Sequence, residues 1–357
     1  MTPRDFGGLF PLNTRILCSG GTIALCDENG RYRILPTCNG INAENTATTP
    51  KSLILELRNL SLIPIGAEHK THRLQIEGTM PPSWELQSNP NITGRVPYEK
   101  IDQMWRGISH AYAKRDELGP FLLAHQVANQ LEICKWHVHE IAIAYNLYVA
   151  AHFKTNDNWT SSSAVGGYTL PIHRSVTSAF IALGTLRDFI AKFAAQVVFS
   201  LGDNVDDYKN LKPRLAKLDH PLAGHFHYCK NWLEELASVR NLLAHWSALE
   251  MVRESNYVHH HVLQVEEMEL PQIVLHLPSD PKEMKSIDEI VKNYRTYSEF
   301  AKRKESDETS GPDALMYYYS NVMTMAELSS KVAHCSPRGP EVPVINADSV
   351  RGFEIIP

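Results

Sequence analysis

The chain has 357 residues, 43% of them hydrophobic and 21% charged, enough for a substantial core in two domains or in one domain with large additions. Its longest apolar runs, Ile141–Phe153 and Ala194–Phe199, are interrupted by Asn146, His152 or Gln196 and fall short of the roughly 20 residues a membrane span needs, so no membrane partner is expected. The net charge of −5 divides into +1 over residues 1–97, +1 over 98–246 and −7 over 247–357, which leaves no broad basic footprint for nonspecific nucleic-acid binding. The first residues lack the apolar core of a signal peptide, and the six cysteines are scattered without a Cys-x-x-Cys pair. Reduced thiols and a cytoplasmic location are the expectation.

Residues 1–97 read as β-rich. Residues 21–27 and 31–35 flank Glu28-Asn29-Gly30, a strong hairpin signal, and Ser52–Leu57 and His72–Ile76 are further strand candidates. Ser19-Gly20-Gly21-Thr22 is glycine-rich but opens no helix, so it reads as a bulge or turn and not as a phosphate loop. Residues 88–97 form a linker by composition.

From Tyr98 the hydrophobic period becomes helical. It predicts helices over 98–118, 121–153, 175–200 and 205–218, with a loop at 154–173 and an N-cap for the fourth helix in Gly202-Asp203-Asn204. His220-Pro221 introduces a further helix that ends near Trp246. After Glu250 the pattern suggests a hairpin of 257–267 and 272–277 joined around Leu270-Pro271, then helices over 281–304 and 313–332. The proline-rich residues 336–357 read as an extended or disordered tail. The fold class expected is therefore α+β, mainly α. Its parts are a β-rich region (1–97), a helical bundle (98–250), a hairpin with two helices packing on the bundle (251–335) and the tail.

The helix ending at Trp246 carries the most informative residues. Trp232, Leu236, Val239, Leu243 and Trp246 recur at helical spacing as one buried stripe, while Arg240, Asn241 and His245 lie off it. Arginine followed four to six residues later by histidine also occurs from Arg214 and from Arg253, no more often than chance supplies. Only Arg240 is followed by a small polar residue and then by apolar residues within an amphipathic helix.

Arg240-Asn241 with His245, late in an all-helical block that includes Leu186-Arg187-Asp188-Phe189-Ile190-Ala191-Lys192, resembles the HEPN superfamily over about residues 98–250. The resemblance implies a HEPN-like bundle and metal-independent RNA cleavage at a site formed by two copies of the motif across a homodimer. The residue types suit that chemistry. An imidazole can take the proton of an attacking 2′-hydroxyl near neutral pH, and a planar guanidinium can meet two phosphoryl oxygens at once. By this resemblance His245 is the base or acid, Arg240 the phosphate stabiliser and Asn241 an orienting partner. The products implied carry 2′,3′-cyclic phosphate and 5′-hydroxyl ends, in a toxin or phage-defence setting.

No cofactor and no metal are called for. The partners implied are RNA or a nucleotide, a second copy of the chain and a protein regulator, with DNA not expected. The alternative is a non-catalytic HEPN-like module that holds a nucleotide, RNA or protein in the same groove.

Other clusters read as structural. His137 and His139 point about 200° apart on a helix and cannot chelate one metal together, and His225 and His227 repeat that geometry. In each pair one ring is expected to pack and the other to be solvated, with His139 or Glu140 a candidate to assist His245. His259-His260-His261 falls on a strand, and at least one ring of Tyr317-Tyr318-Tyr319 belongs to the core. Cys134 and Cys229 read as small buried residues.

Overall fold

The computed structural model describes residues 14–26, 32–36, 50–69, 83–87, 96–155, 169–246, 258–265, 268–275 and 312–342. It is α+β and mostly helical, with small antiparallel sheets. Among the described residues no helix is long and apolar enough to cross a membrane.

Five short strands form the first sheet: β1 (Thr14–Cys18), β2 (Ile23–Cys26), β3 (Tyr32–Leu35), β4 (Pro64–His69) and β5 (Ser83–Leu86). Their order is β3-β2-β1-β4-β5, antiparallel throughout. The expected hairpin is present as β2–β3, with Cys26 opposite Tyr32. Ser52–Leu57, expected as a strand, lies instead in helix α1 (Pro50–Asn59). Its leucines serve either period, and the buried pair Leu53 and Leu57, four residues apart, makes a helical face. His72–Ile76 lies outside the described residues.

Period-two alternation gives this sheet two apolar faces. Ile16, Ala24, Ile34 and Ala67 pack on Leu53 and Leu57 of α1 and on Leu270. Leu17, Ile23, Trp84 and Leu86 turn the other way and join the core of the helical bundle. The Ser19–Gly21 turn sits where the sheet meets the bundle, with Gly20 and Gly21 at φ 66° and 78°. The side-chain amide of Asn146 donates to the Gly21 carbonyl at 2.8 Å, fixing that junction.

The bundle comprises α2 (Tyr98–Ala113), α3 (Leu118–Thr155), α4 (Thr169–Phe193), α5 (Tyr208–Leu215), α6 (Pro221–Tyr228), α7 (Lys230–Trp246) and α8 (Ala314–His334). Helix α2 stops earlier than its period suggests because Asp116 takes a left-handed φ of 59°, and the Glu117 N–H returns to the Tyr112 carbonyl at 3.1 Å. Residues 169–173, expected in a loop, begin α4, where Pro171 stands in the first turn and needs no donor. A π turn at 194–198 ends that helix. Helix α5 starts at Tyr208, later than expected, because Asp207 and not Asp203 or Asn204 caps it: its carboxylate accepts the Asn210 N–H at 2.7 Å.

The single helix expected from His220 to Trp246 is two helices meeting at Cys229, whose ψ is near 0°. His220 caps α6 through Nδ1, which accepts the Leu222 N–H at 3.1 Å, with Pro221 following. Strands β6 (Val258–Val265) and β7 (Met268–Leu275) form the expected second hairpin, but in a register that sets Val265 opposite Met268. Pro271 therefore pairs with Val262 inside β7, as a proline can in a two-stranded sheet where both strands are edges. Helix α8 begins as expected, with Asp313 accepting the Met316 N–H at 2.8 Å. The helix expected over 281–304 lies outside the described residues.

Residues 336–342 run along α2. The Glu341 N–H donates to the Gly107 carbonyl at 3.1 Å, while Glu341 pairs with Arg115 at 2.6 Å and Arg338 with Glu117 at 2.6 Å.

Candidate functional site

Helix α7 buries Leu236, Val239 and Leu243 of the stripe inferred from spacing, together with Leu233. Trp232, at its start, is half-buried and donates through Nε1 to Asn321 of α8 at 2.5 Å. Off the stripe, Asn241 is exposed and Arg240 half-buried, its side chain 35% accessible. His245 belongs to the same helix, one turn beyond Asn241; its side chain, like that of Trp246, lies outside the described residues.

Arg240 is held against α4. Its aliphatic stem crosses Gly184, where a Cβ would stand only 2.6 Å from Arg240 Cδ. Its guanidinium Nη1 lies 3.8 Å from Asp188 Oδ2. The other oxygen, Asp188 Oδ1, accepts from Arg187 Nε at 2.9 Å and Nη2 at 2.8 Å, and from the Tyr208 N–H at 3.4 Å. Arg187 also reaches the Leu233 carbonyl of α7 at 3.5 Å and lies 5.7 Å over the ring of Tyr208. Burial pushes the Tyr208 phenol up to about 12, with Glu234 adding to the shift, so it stays neutral at physiological pH.

The arrangement is thus a half-exposed arginine beside a fixed carboxylate, with an exposed amide next to it on the same helix. Its guanidinium can meet an anionic group from the solvent side. Spacing along α7 singled out Arg240 and Asn241, but it missed Gly184 and Asp188, which lie on another helix. The one signal for them was a lone glycine inside a helical pattern, which marks a close approach.

The remaining clusters have partners of their own. His139 Nε2 faces Glu68 Oε2 of β4 at 3.2 Å, with Trp84 and Trp136 edge-on, and Glu140 bonds His137 at 2.8 Å. Both rings of that pair are half-buried, so the expected split into one packed and one solvated histidine does not occur. His225 and His227 are both exposed, a second departure, because the residues α6 buries are Leu222, Ala223 and Phe226. The side chains of His259, His260 and His261 lie outside the described residues.

The tyrosine run is structural: Tyr318 is fully buried with its hydroxyl donating to the Cys134 carbonyl at 3.2 Å, Tyr317 donates to Glu235 at 2.6 Å, and Tyr319 donates to the Gln87 carbonyl. Cys134 is fully buried as expected, whereas Cys229 is half-buried at the α6–α7 junction. Among the described residues no group of three or more His, Cys, Asp or Glu side chains could hold a metal ion.

No protein-family model, no curated protein and no solved structure matches the chain.

Proposed function

We propose that the protein is a metal-independent endoribonuclease of HEPN type that acts as a homodimer and leaves 2′,3′-cyclic phosphate and 5′-hydroxyl ends. The observation that carries this reading is Arg240: a guanidinium fixed at its stem by Gly184, faced by Asp188, and one third accessible beside the exposed Asn241. His245 takes the proton of the 2′-hydroxyl as the phosphate is attacked, and Arg240 meets the charge that builds on the phosphoryl oxygens. Asn241 orients the phosphate or the ribose by hydrogen bonding. A toxin or phage-defence role restrained by a protein regulator follows from an activity that would damage its own cell.

The test is cleavage of a structured RNA in EDTA. His245→Ala is expected to lower the rate about 10²–10⁴-fold, as loss of a general base does, and Arg240→Ala about 10²–10³-fold. Cleavage that survives His245→Ala sinks the proposal. A second reading, a non-catalytic module holding RNA, a nucleotide or a protein, is favoured by the Asp188 contact, which gives Arg240 a partner without any ligand. RNA that is bound but stays intact in the wild-type protein would select it.

A further inference from the structure

We infer that Asp188 is the positioning residue for Arg240 and aims its guanidinium at the phosphate; the inference deepens the endoribonuclease reading and rests on it. Asp188 and Gly184 stand one turn apart on α4 and meet Arg240 at two points, head and stem. The carboxylate is itself immobilised. Three donors converge on Oδ1, from Arg187 Nε and Nη2 and from the Tyr208 N–H, which leaves Oδ2 turned to Arg240.

At 3.8 Å, Oδ2 attracts the guanidinium without closing a short hydrogen bond on Nη1. Among the described residues no acceptor closes a hydrogen bond on the Arg240 guanidinium, so it can meet a phosphate while its direction is set. Arg187 supplies the charge that balances Asp188, so the three side chains together remain cationic and still attract an anion. Gly184 bounds the other side, because no side chain can stand there without displacing Arg240.

Asp188→Asn isolates the role, since it removes the charge facing Arg240 yet keeps an oxygen for Arg187 and Tyr208. Its expected signature is a split. Single-turnover cleavage falls about tenfold or more, as loss of a preorganised electrostatic contact does, while RNA affinity measured in the His245→Ala background holds or tightens. A merely structural role would weaken affinity and rate together.

Gly184→Ala is expected to show the same split and to add little to Asp188→Asn, because both act through one guanidinium. Independently of activity, phenylglyoxal labelling of Arg240, followed by peptide mass spectrometry, is expected to speed up severalfold in Asp188→Asn. Unchanged labelling in Asp188→Asn, or an unchanged cleavage rate beside a dead His245→Ala, overturns the inference. If the wild-type protein leaves RNA intact, the nuclease reading falls on its own and the labelling still decides on Asp188.

Discussion

Burial pushes the thiols of Cys18 and Cys134 up to about 12, so neither holds a useful fraction of thiolate at neutral pH. Burial raises the half-buried Cys229 as well. Among the four cysteines whose side chains are described, iodoacetamide at pH 8 is expected to label Cys335 first in the native protein, Cys229 more slowly, and Cys18 and Cys134 only on unfolding. Labelling of Cys134 in the folded state at the rate of Cys335 would contradict this packing.

Gly21 sets a second limit at this scale. Its φ is 78°, and a Cβ there would stand 2.9 Å from the Tyr145 backbone and Cβ. Gly21→Ala therefore adds a left-handed penalty of about 1–2 kcal/mol to an overpacking cost of about 1–3 kcal/mol. A thermal melt is expected to show a loss of several degrees, larger than that of an alanine placed at the unencumbered Gly119.

Among the elements, residues 336–342 depend on charge in a way that pH can read. Arg115 above all, with Lys114, holds the Glu341 carboxyl below the ordinary glutamate range. A depressed carboxyl pKa contributes stability above the ordinary value and loses it as pH falls through the folded value. Exchange at the Glu341 amide, which donates to Gly107, is expected to accelerate beyond its intrinsic rate as pH drops below the ordinary glutamate range. In Glu341→Gln that acid dependence should be absent; if it persists, Glu341 does not hold the segment.

The same scale shows what the sequence made legible. The α7 stripe was readable because leucines and valine recur there at one period only, and α8 was readable as the helix expected over 313–332, whose start the Asp313 cap explains only in the structure. Ser52–Leu57 misled because a dense run of leucines satisfies both periods, and only the sheet it covers selects the helix. Pro271 read as a turn because nothing local says that its strand is an edge. Strands β1, β4 and β5 escaped because four to six residues carry too little pattern. At the candidate site, Arg240 and Asn241 were legible from their own helix, whereas Asp188 and Gly184 are defined by a contact between helices.

For the molecule as a whole, the sheet and the bundle share one apolar core. Leu17, Ile23, Ile65, Trp84 and Leu86 meet the bundle from one side, while Leu315, Tyr318, Val322 and Met325 of α8 enter it too. Residues 98–250, the span of the proposed HEPN-like bundle, therefore lack two of their covers when taken alone. A fragment of that span is expected to bind hydrophobic dyes and to melt without a cooperative transition, whereas the full chain melts as one unit. A fragment that folds cooperatively would show that the bundle needs neither cover.

The place of α8 has one more consequence. Tyr112 meets Ser336 at 3.2 Å and Tyr145 meets Asp313 at 3.4 Å, contacts that join residues 224 and 168 positions apart. During synthesis the earlier helices leave the ribosome long before the partner that closes over them. The hydrophobic face they present in that interval is a natural client surface for chaperones. Whatever chemistry the end of α7 performs reaches its mature form only after translation has passed α8.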